Sequence, residues 1–439
     1  MKITLVSHAS VLIEANGVKI LTDPWFVGKA FNESWSLLPP AANGDLSGVD
    51  YLWISHEHPD HFHIETLTSL PAEFKSRVTV LFQLNNSDKL PLKLNQLGFK
   101  KIVRLPHRKI AALSDGVSVY CYQSGLMDAC LGVLADKEEI LLNINDAPFN
   151  AIDAKIALGD LKRVDVILNQ FSYATYNGLP DFEKNLPLDA KQVLDEVAQN
   201  HTDLKAKVTI PFASFIYFSS EENKYMNAFA NTPESFHRFF KEKGLQSAIL
   251  YPGETYQSGL AHDNAATLKK FEEIYNKKSE LVFDKPKTVE LNLIFKAFDK
   301  LIHQLYEKYP RFLLRRLKPV SVHIPDLNKS VAFSIRSKSI AEIEGSACDL
   351  TIGSQAFYFT LAHPWGGQTL TISGRLRAAG KNRNWLWHRL LFAFNNAEIY
   401  LKPKYLFERR MRAWVWSRRK GVFSQFVSQL VWLLKNNAK

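Results

Sequence analysis

Cysteine is scarce in this chain. There are three in 439 residues, Cys121, Cys130 and Cys348. So sparse and odd a set excludes a disulfide-stapled scaffold and fits a reducing compartment. Its spacing matches neither a zinc ribbon nor an iron–sulfur pattern. Long apolar runs are also lacking, and none approaches the ~18 residues of a membrane span. The opening Met1-Lys2-Ile3-Thr4-Leu5-Val6-Ser7-His8 turns polar too soon for a signal peptide. These absences lead us to expect a cytoplasmic protein. Acidic residues are outnumbered, 44 against 55 Lys and Arg, for a net charge of +11. A basic surplus attracts phosphates, nucleotides or an acidic membrane face. No RNA or DNA motif accompanies it, so nucleic acid is not an expected partner. Hydrophobic content of 46% and charged content of 23% are those of an ordinary globular protein, long enough for two or three domains.

Against this background one stretch stands out. Ser55-His56-Glu57-His58-Pro59-Asp60-His61 reads H-x-H-x-D-H. It follows Val49-Asp50-Tyr51-Leu52-Trp53-Ile54, an apolar run that reads as a buried strand. A strand ending in such a cluster delivers its side chains to the rim of a sheet. His56 and His58 alternate by two, so they can face one metal. Asp60 and His61 follow the turn and can face another. Imidazole plus carboxylate suits zinc or iron, and two ions roughly 3.5–4 Å apart form a binuclear site.

Around the cluster, residues 3–6, 11–14 and 18–22 read as strands, with Asn16-Gly17 as a hairpin turn. His8 falls between the first two strands, where it can be a core histidine, support the metal ligands from behind or face a substrate. Asp23, in Asp23-Pro24-Trp25, ends the third strand and is suited to anchor the histidines by hydrogen bonding. Phe26 to Leu46 is a loop long enough to wall a pocket. Helices are expected near 64–70, 88–97, 188–200 and 233–243, and strands at 77–83, 101–105, 117–123, 130–135, 140–145, 164–170 and 208–213. Asp128 stands at the start of one strand and Asp146 at the end of another. Asp128 can complete the first metal's ligands, and Asp146 can bridge both. Gln170, Ser172 and Tyr173 lie in an aromatic, hydroxyl-rich loop suited to substrate. Glu254, after Pro252-Gly253, is a candidate late ligand or acid/base group, as well as an ordinary turn residue.

H-x-H-x-D-H after a strand, with Asp23 before and Asp146 after, resembles the metallo-β-lactamase superfamily. His8-Ala9-Ser10 with Leu21-Thr22-Asp23-Pro24-Trp25 is similar to the branch of N-acyl-phosphatidylethanolamine phospholipase D and the ascorbate-phosphate lactonases. The chain more closely resembles the CMP-N-acetylneuraminate hydroxylase group and its bacterial UDP-N-acetylmuramate hydroxylase relatives. That likeness rests on Asp23-Pro24-Trp25 with Asn32 to Pro40, Asn143-Ile144-Asn145-Asp146, Gln170-Phe171-Ser172, Pro211-Phe212-Ala213 and Pro252-Gly253-Glu254, and spans roughly residues 1–285. It implies an α/β fold, a four-layer αββα sandwich over residues 1–284 carrying two metal ions. Hydrolases of the superfamily place a histidine where this chain has Asp128. A carboxylate there favours iron over zinc, as in oxygen-activating members. Sialic-acid-type hydroxylases also carry an N-terminal Rieske domain. This chain opens at the first strand of the metal domain and has no Cys-x-His pair, so a Rieske cluster is not expected in it. If the chain is an oxygenase, a separate electron-transfer protein is expected to supply its electrons; otherwise it is a hydrolase or has lost activity.

Beyond Lys285-Pro286-Lys287, Leu291, Ile294, Phe295, Phe298, Leu301, Ile302 and Leu305 recur at helical spacing. Residues 320–324, 331–335, 350–352, 356–361 and 370–372 read as strands, the last two parted by His363-Pro364-Trp365-Gly366-Gly367. An α+β accessory domain over 285–402, resembling a sterol-carrier-type fold, is expected. The tail 403–439 interleaves Lys404, Arg409, Arg410, Arg412, Arg418, Arg419 and Lys420 with Phe407, Trp414 and Trp416. An apolar face from Val422 to Leu434 follows, and the whole suits an interfacial helix on an anionic inner membrane surface. Three functions are expected from these features. The first is an O2-dependent hydroxylase of a glycoconjugate or nucleotide-sugar, taking a small or lipid-linked anionic substrate, with Asp60, His8 and Glu254 as catalytic candidates. The second is a zinc hydrolase of a phosphoester, amide or lactone. The third is a non-catalytic, membrane-associated binding protein.

Overall fold

Strand Val11–Ala15 alternates buried and half-buried residues, and Asn16 and Gly17, at φ of 43° and 80°, turn it back into strand Val18–Thr22. Both turn residues tolerate the left-handed backbone that a two-residue hairpin demands. In the computed structural model this hairpin sits within a seven-stranded sheet. Its order is Thr255–Gln257, Lys2–Leu5, Val11–Ala15, Val18–Thr22, Tyr51–Ile54, Thr79–Gln83, Lys101–Leu105. A second sheet of six strands is ordered Val208–Phe212, Val166–Gln170, Ile140–Asn145, Asp128–Ala135, Val117–Ser124, Ile110–Ser114. The structure describes all residues except 43, 45, 86, 137–138, 177–181, 261, 380–383, 409–410, 413–414 and 417–439, and the side chain of 182.

The two sheets face each other across one apolar layer that includes Ile3, Val11, Ile13, Val119, Leu131, Leu141 and Val166. Helices Ile64–Ser69, Ala72–Arg77 and Lys89–Gln96 cover Leu52, Ile54, Val80 and Phe82 on the outer face of the first sheet. Helix Ala151–Leu161 covers Leu142, Ile144 and Ile167 on the outer face of the second. The result is the expected four-layer αββα sandwich.

Strand direction decides where the site falls. Val18–Thr22, Tyr51–Ile54 and Thr79–Gln83 run parallel, as do Ile140–Asn145, Val166–Gln170 and Val208–Phe212. Their C-terminal ends therefore meet at one rim. Asp128–Ala135 is antiparallel to Ile140–Asn145 and begins at that rim. Lys2–Leu5 ends there too, because each of the two pairings that relate it to Val18–Thr22 is antiparallel.

The C-terminal region has its own five-stranded sheet, ordered Ser339–Ile343, Lys329–Ser334, Val320–Ile324, Leu350–Ile352, Leu376–Ala378. Helix Leu291–Lys308 buries Ile294, Phe298, Leu301, Ile302 and Leu305 on one face, as their spacing predicts. Two expected strands are helices instead, Ser354–Ala362 and Gly366–Ser373. A short apolar run buried on every side looks the same in either conformation, and Gly366-Gly367 lets two helices meet. A Cβ at Gly366 would overlap the Phe359 carbonyl oxygen, and one at Gly367 the Phe392 ring. Gly366→Ala is expected to lower stability by roughly 1–3 kcal/mol, the usual cost of overpacking, measurable as a lower urea midpoint with unchanged m-value.

Residues 285–402 do not form a separate core. Phe298, Leu301, Val322 and Phe357 pack in one cluster with Trp25, Phe31, Trp35 and Tyr173. In the tail, Met411 is buried against Met127, while Phe407 and Trp416 are exposed. Arg409, Arg410, Trp414, Arg418, Arg419, Lys420 and the apolar face from 422 to 434 lie outside the described residues. Among the described residues no helix is long and apolar enough to cross a membrane.

Candidate metal centre

Asp23 is the anchor on which the cluster is hung. It closes strand Val18–Thr22 at φ 31°, and its backbone N–H donates to the Trp53 carbonyl (2.9 Å). Its fully buried carboxylate accepts from the Ser55 N–H (2.7 Å), the Ser55 hydroxyl (2.7 Å) and the Asn145 side-chain amide (3.1 Å). It also faces His61 Nδ1 at 3.0 Å. A carboxylate on one ring nitrogen fixes the tautomer and points the other nitrogen at a metal. His56 is held in the same way, with Nδ1 3.0 Å from the Ser55 hydroxyl.

The remaining donor atoms converge. His56 Nε2 lies 2.7 Å from His58 Nδ1 and 3.7 Å from both Asp128 Oδ1 and Asp146 Oδ2. His61 Nε2 lies 3.2 Å from Asp60 Oδ2 and 3.5 Å from Asp146 Oδ2. His8 Nε2 lies 3.2 Å from that same Asp60 oxygen. Three clusters of donors result: His56, His58 and Asp128; His8, Asp60 and His61; and His56, His61 and Asp146. His58 Nε2, His61 Nε2, Asp60 Oδ1 and Asp146 Oδ1 are buried with no hydrogen-bond partner among the described residues. Buried polar atoms are seldom left so. Donors aimed at common points without satisfying one another fit metal ions, and a mixed imidazole and carboxylate set suits iron or zinc.

The electrostatics agree. Burial pushes His8 and His56 down, and His58 to about 4, so these rings are neutral and free to donate a lone pair. Burial also works against a charge on His61, but Asp60 and Asp146 outweigh it and raise His61 well above its ordinary value. Burial opposes ionisation of Asp60 and Asp146 as well, yet His61 holds both below the usual carboxylate range. The two carboxylates thus share the positive charge of His61, a place that a metal ion would take over.

Three contributors have no obvious mark in the sequence. Ser55 links Asp23 to His56. Gln83, at the end of its strand, donates to the Ser55 carbonyl (3.1 Å) and to the Met127 carbonyl. Asn145 sits at φ 67° beside a β-bulge and swings Asp146 into the site. The only local signal for that turn is an asparagine before the aspartate, since asparagine tolerates the left-handed region.

The other expected residues are placed differently. Gln170, Ser172 and Tyr173 line a narrow pocket of about 40 Å³ with His8, Trp35 and Lys278. On that measure of space it holds a few water molecules. The Ser172 hydroxyl accepts from the Asn231 N–H (2.9 Å), and the Tyr173 hydroxyl donates to the Met226 carbonyl, so both are used by the fold. Glu254 is not brought to the cluster. Its carboxylate accepts from the Tyr251 N–H, Thr267 and Lys270. The open side of the centre lies at Asp128 and Asp146, whose side chains are 14% and 20% exposed. Ile399 and Met411 close over Met127 beside it.

Residues 2–153 match the beta-lactamase superfamily domain. A Mycobacterium tuberculosis protein named as a Rieske 2Fe-2S iron-sulfur protein is 27% identical over 253 residues, 53% of this chain and 47% of that protein. The cytidine monophosphate-N-acetylneuraminic acid hydroxylase of Danio rerio is 25% identical over 281 residues, 57% of this chain and 44% of that enzyme. The matched part thus spans a little under half the length of these relatives. Among solved structures, CmlA, a diiron beta-hydroxylase from Streptomyces venezuelae, aligns over 58% of this chain and 54% of its own at 17% identity, with a TM-score of 0.40. The beta-lactamase superfamily domain is thus what residues 2–153 are similar to.

Proposed function

We propose that this chain is a binuclear metal enzyme that hydroxylates a small anionic glycoconjugate or nucleotide-sugar with O2, using iron in preference to zinc. The observation that carries the reading is the convergence of two donor groups joined through Asp146. His56, His58 and Asp128 would hold one ion, Asp60 and His61 the other, and Asp146 both. When bound, two iron ions supply O2 activation and electron storage, whereas two zinc ions supply an activated water and an electrophile. Asp128 and Asp60 beside Asp146 make the set rich in carboxylate, which supports iron. Asp23 keeps His61 Nε2 aimed inward, and Trp25, Phe31 and Trp35 exclude water behind the centre. The partly exposed edges of Asp128 and Asp146 leave the side from which substrate approaches. The basic surplus of the chain favours an anionic one.

The relatedness to a hydroxylase of a nucleotide-linked sugar supports the substrate class. Relatives named for a Rieske cluster support an electron-transfer partner. The superfamily match favours a second reading, a zinc hydrolase in which Asp60 orients the attacking water.

Metal analysis of protein purified anaerobically without added metal, with absorption spectra before and after admitting O2, separates the two. The oxygenase reading expects about two irons per chain and a spectral change with O2. About two zincs and no response to O2 would overturn it and leave the hydrolase.

A further inference from the structure

Taking the proposed binuclear centre as given, we infer that His8 is a protein ligand of the second metal, completing a three-residue set with Asp60 and His61. Without His8, the first ion would have three residues of its own and the second only two. His8 restores the balance, and Asp146 then joins two equal groups. No other histidine, cysteine or acid among the described residues groups with Asp60 and His61 except through Asp146.

The fold delivers this ring with little freedom. His8 lies in a tight turn after strand Lys2–Leu5, closed by the Val6 N–H on the Ser10 carbonyl (2.8 Å). The His8 carbonyl accepts from the Ala213 N–H (2.7 Å), tying the turn to the second sheet. The ring is 1% exposed and packs edge-on against Trp25, Trp35 and His61, with centroids 5.5, 6.2 and 6.0 Å away. Its Nε2 meets the Asp60 oxygen that His61 Nε2 also meets, each at 3.2 Å. Two imidazole nitrogens and one carboxylate oxygen thus aim at a common point from two segments, the turn that carries His8 and the loop that carries Asp60 and His61. The competing role is positional: His8 Nε2–H would hold Asp60 in place and touch no metal.

Metal content and cobalt spectroscopy distinguish these roles without reference to turnover. Wild-type protein and the His8→Ala and His8→Gln variants are loaded with excess Co2+, desalted and assayed for cobalt, with circular dichroism to check folding. We expect about two ions per chain in the wild type and about one in each variant. A glutamine N–H can still donate to Asp60, and with its N–H turned to Asp60 its amide oxygen points away from the ion and is a weaker donor to cobalt than an imidazole nitrogen. Two ions retained in His8→Gln would overturn the ligand role and leave His8 as a positioning residue. A wild type that binds one ion or none would instead overturn the binuclear reading itself. Should both variants unfold, the cobalt-loaded wild type decides the matter by the exchangeable, paramagnetically shifted imidazole N–H resonances in its proton spectrum. Four are expected if His8 ligates with His56, His58 and His61, and three refute it.

Discussion

Replacing Asp146 with alanine is expected to cut bound metal from about two ions per chain to fewer than one, with activity falling below detection. Asp146 Oδ2 stands 3.7 Å from His56 Nε2 and 3.5 Å from His61 Nε2, so one carboxylate serves both donor groups. Two dications about 4 Å apart repel each other by roughly 17 kcal/mol even at an effective dielectric constant of about 20. A shared anion between them offsets much of that repulsion, and no other described carboxylate lies between the two groups. Asp146→Asn keeps the shape without the charge and is expected to retain at most one ion. Glu254→Ala, whose carboxylate is engaged by Thr267 and Lys270 away from the cluster, is the control and is expected to keep both. Elemental analysis after desalting reads the result. Two ions retained by Asp146→Ala would refute the bridging role.

Asp23→Ala is expected to have the second large effect, and to damage both fold and site. This carboxylate is fully buried and receives three hydrogen bonds from Ser55 and Asn145 while facing His61. Removing it strands those donors in a dry interior, at a cost of about 3–5 kcal/mol. It also releases the His61 ring, and loss of such an orienting carboxylate weakens metal binding by about 10–100-fold. Asp23→Asn retains an oxygen for the Ser55 N–H, so we expect a smaller stability loss but a similar loss of affinity. Urea unfolding in a chelating buffer measures the first effect without metal, and competition titration against a chromophoric chelator measures the second. Unchanged unfolding in Asp23→Ala would show that the network does not hold the rim together.

Much of the candidate centre was legible because its donor residues are local. H-x-H-x-D-H puts four donors within six residues, and the apolar run before it marks a strand that must end at a rim. Asp128 and Asp146 could be picked out because each stands at the boundary of a recognisable strand. The αββα sandwich followed from the motif's resemblance to a known superfamily, and helix Leu291–Lys308 from its apolar period.

Other features depended on what each segment packs against. Residues 356–361 and 370–372 are apolar without a period, so their helices exist because Gly366 and Gly367 allow close approach to neighbouring chain. Asn145 and Gln83 gain their roles from partners far along the chain. Glu254 and His8 looked equally placed as polar residues near strand ends, yet only His8 turns inward, onto Asp60, which lies 52 residues away. Local spacing determined which side chains could ligate and which segments could be strands. The pairing of two sheets decided which of those side chains share a point in space, because burial and convergence arise only when distant strands end at the same rim.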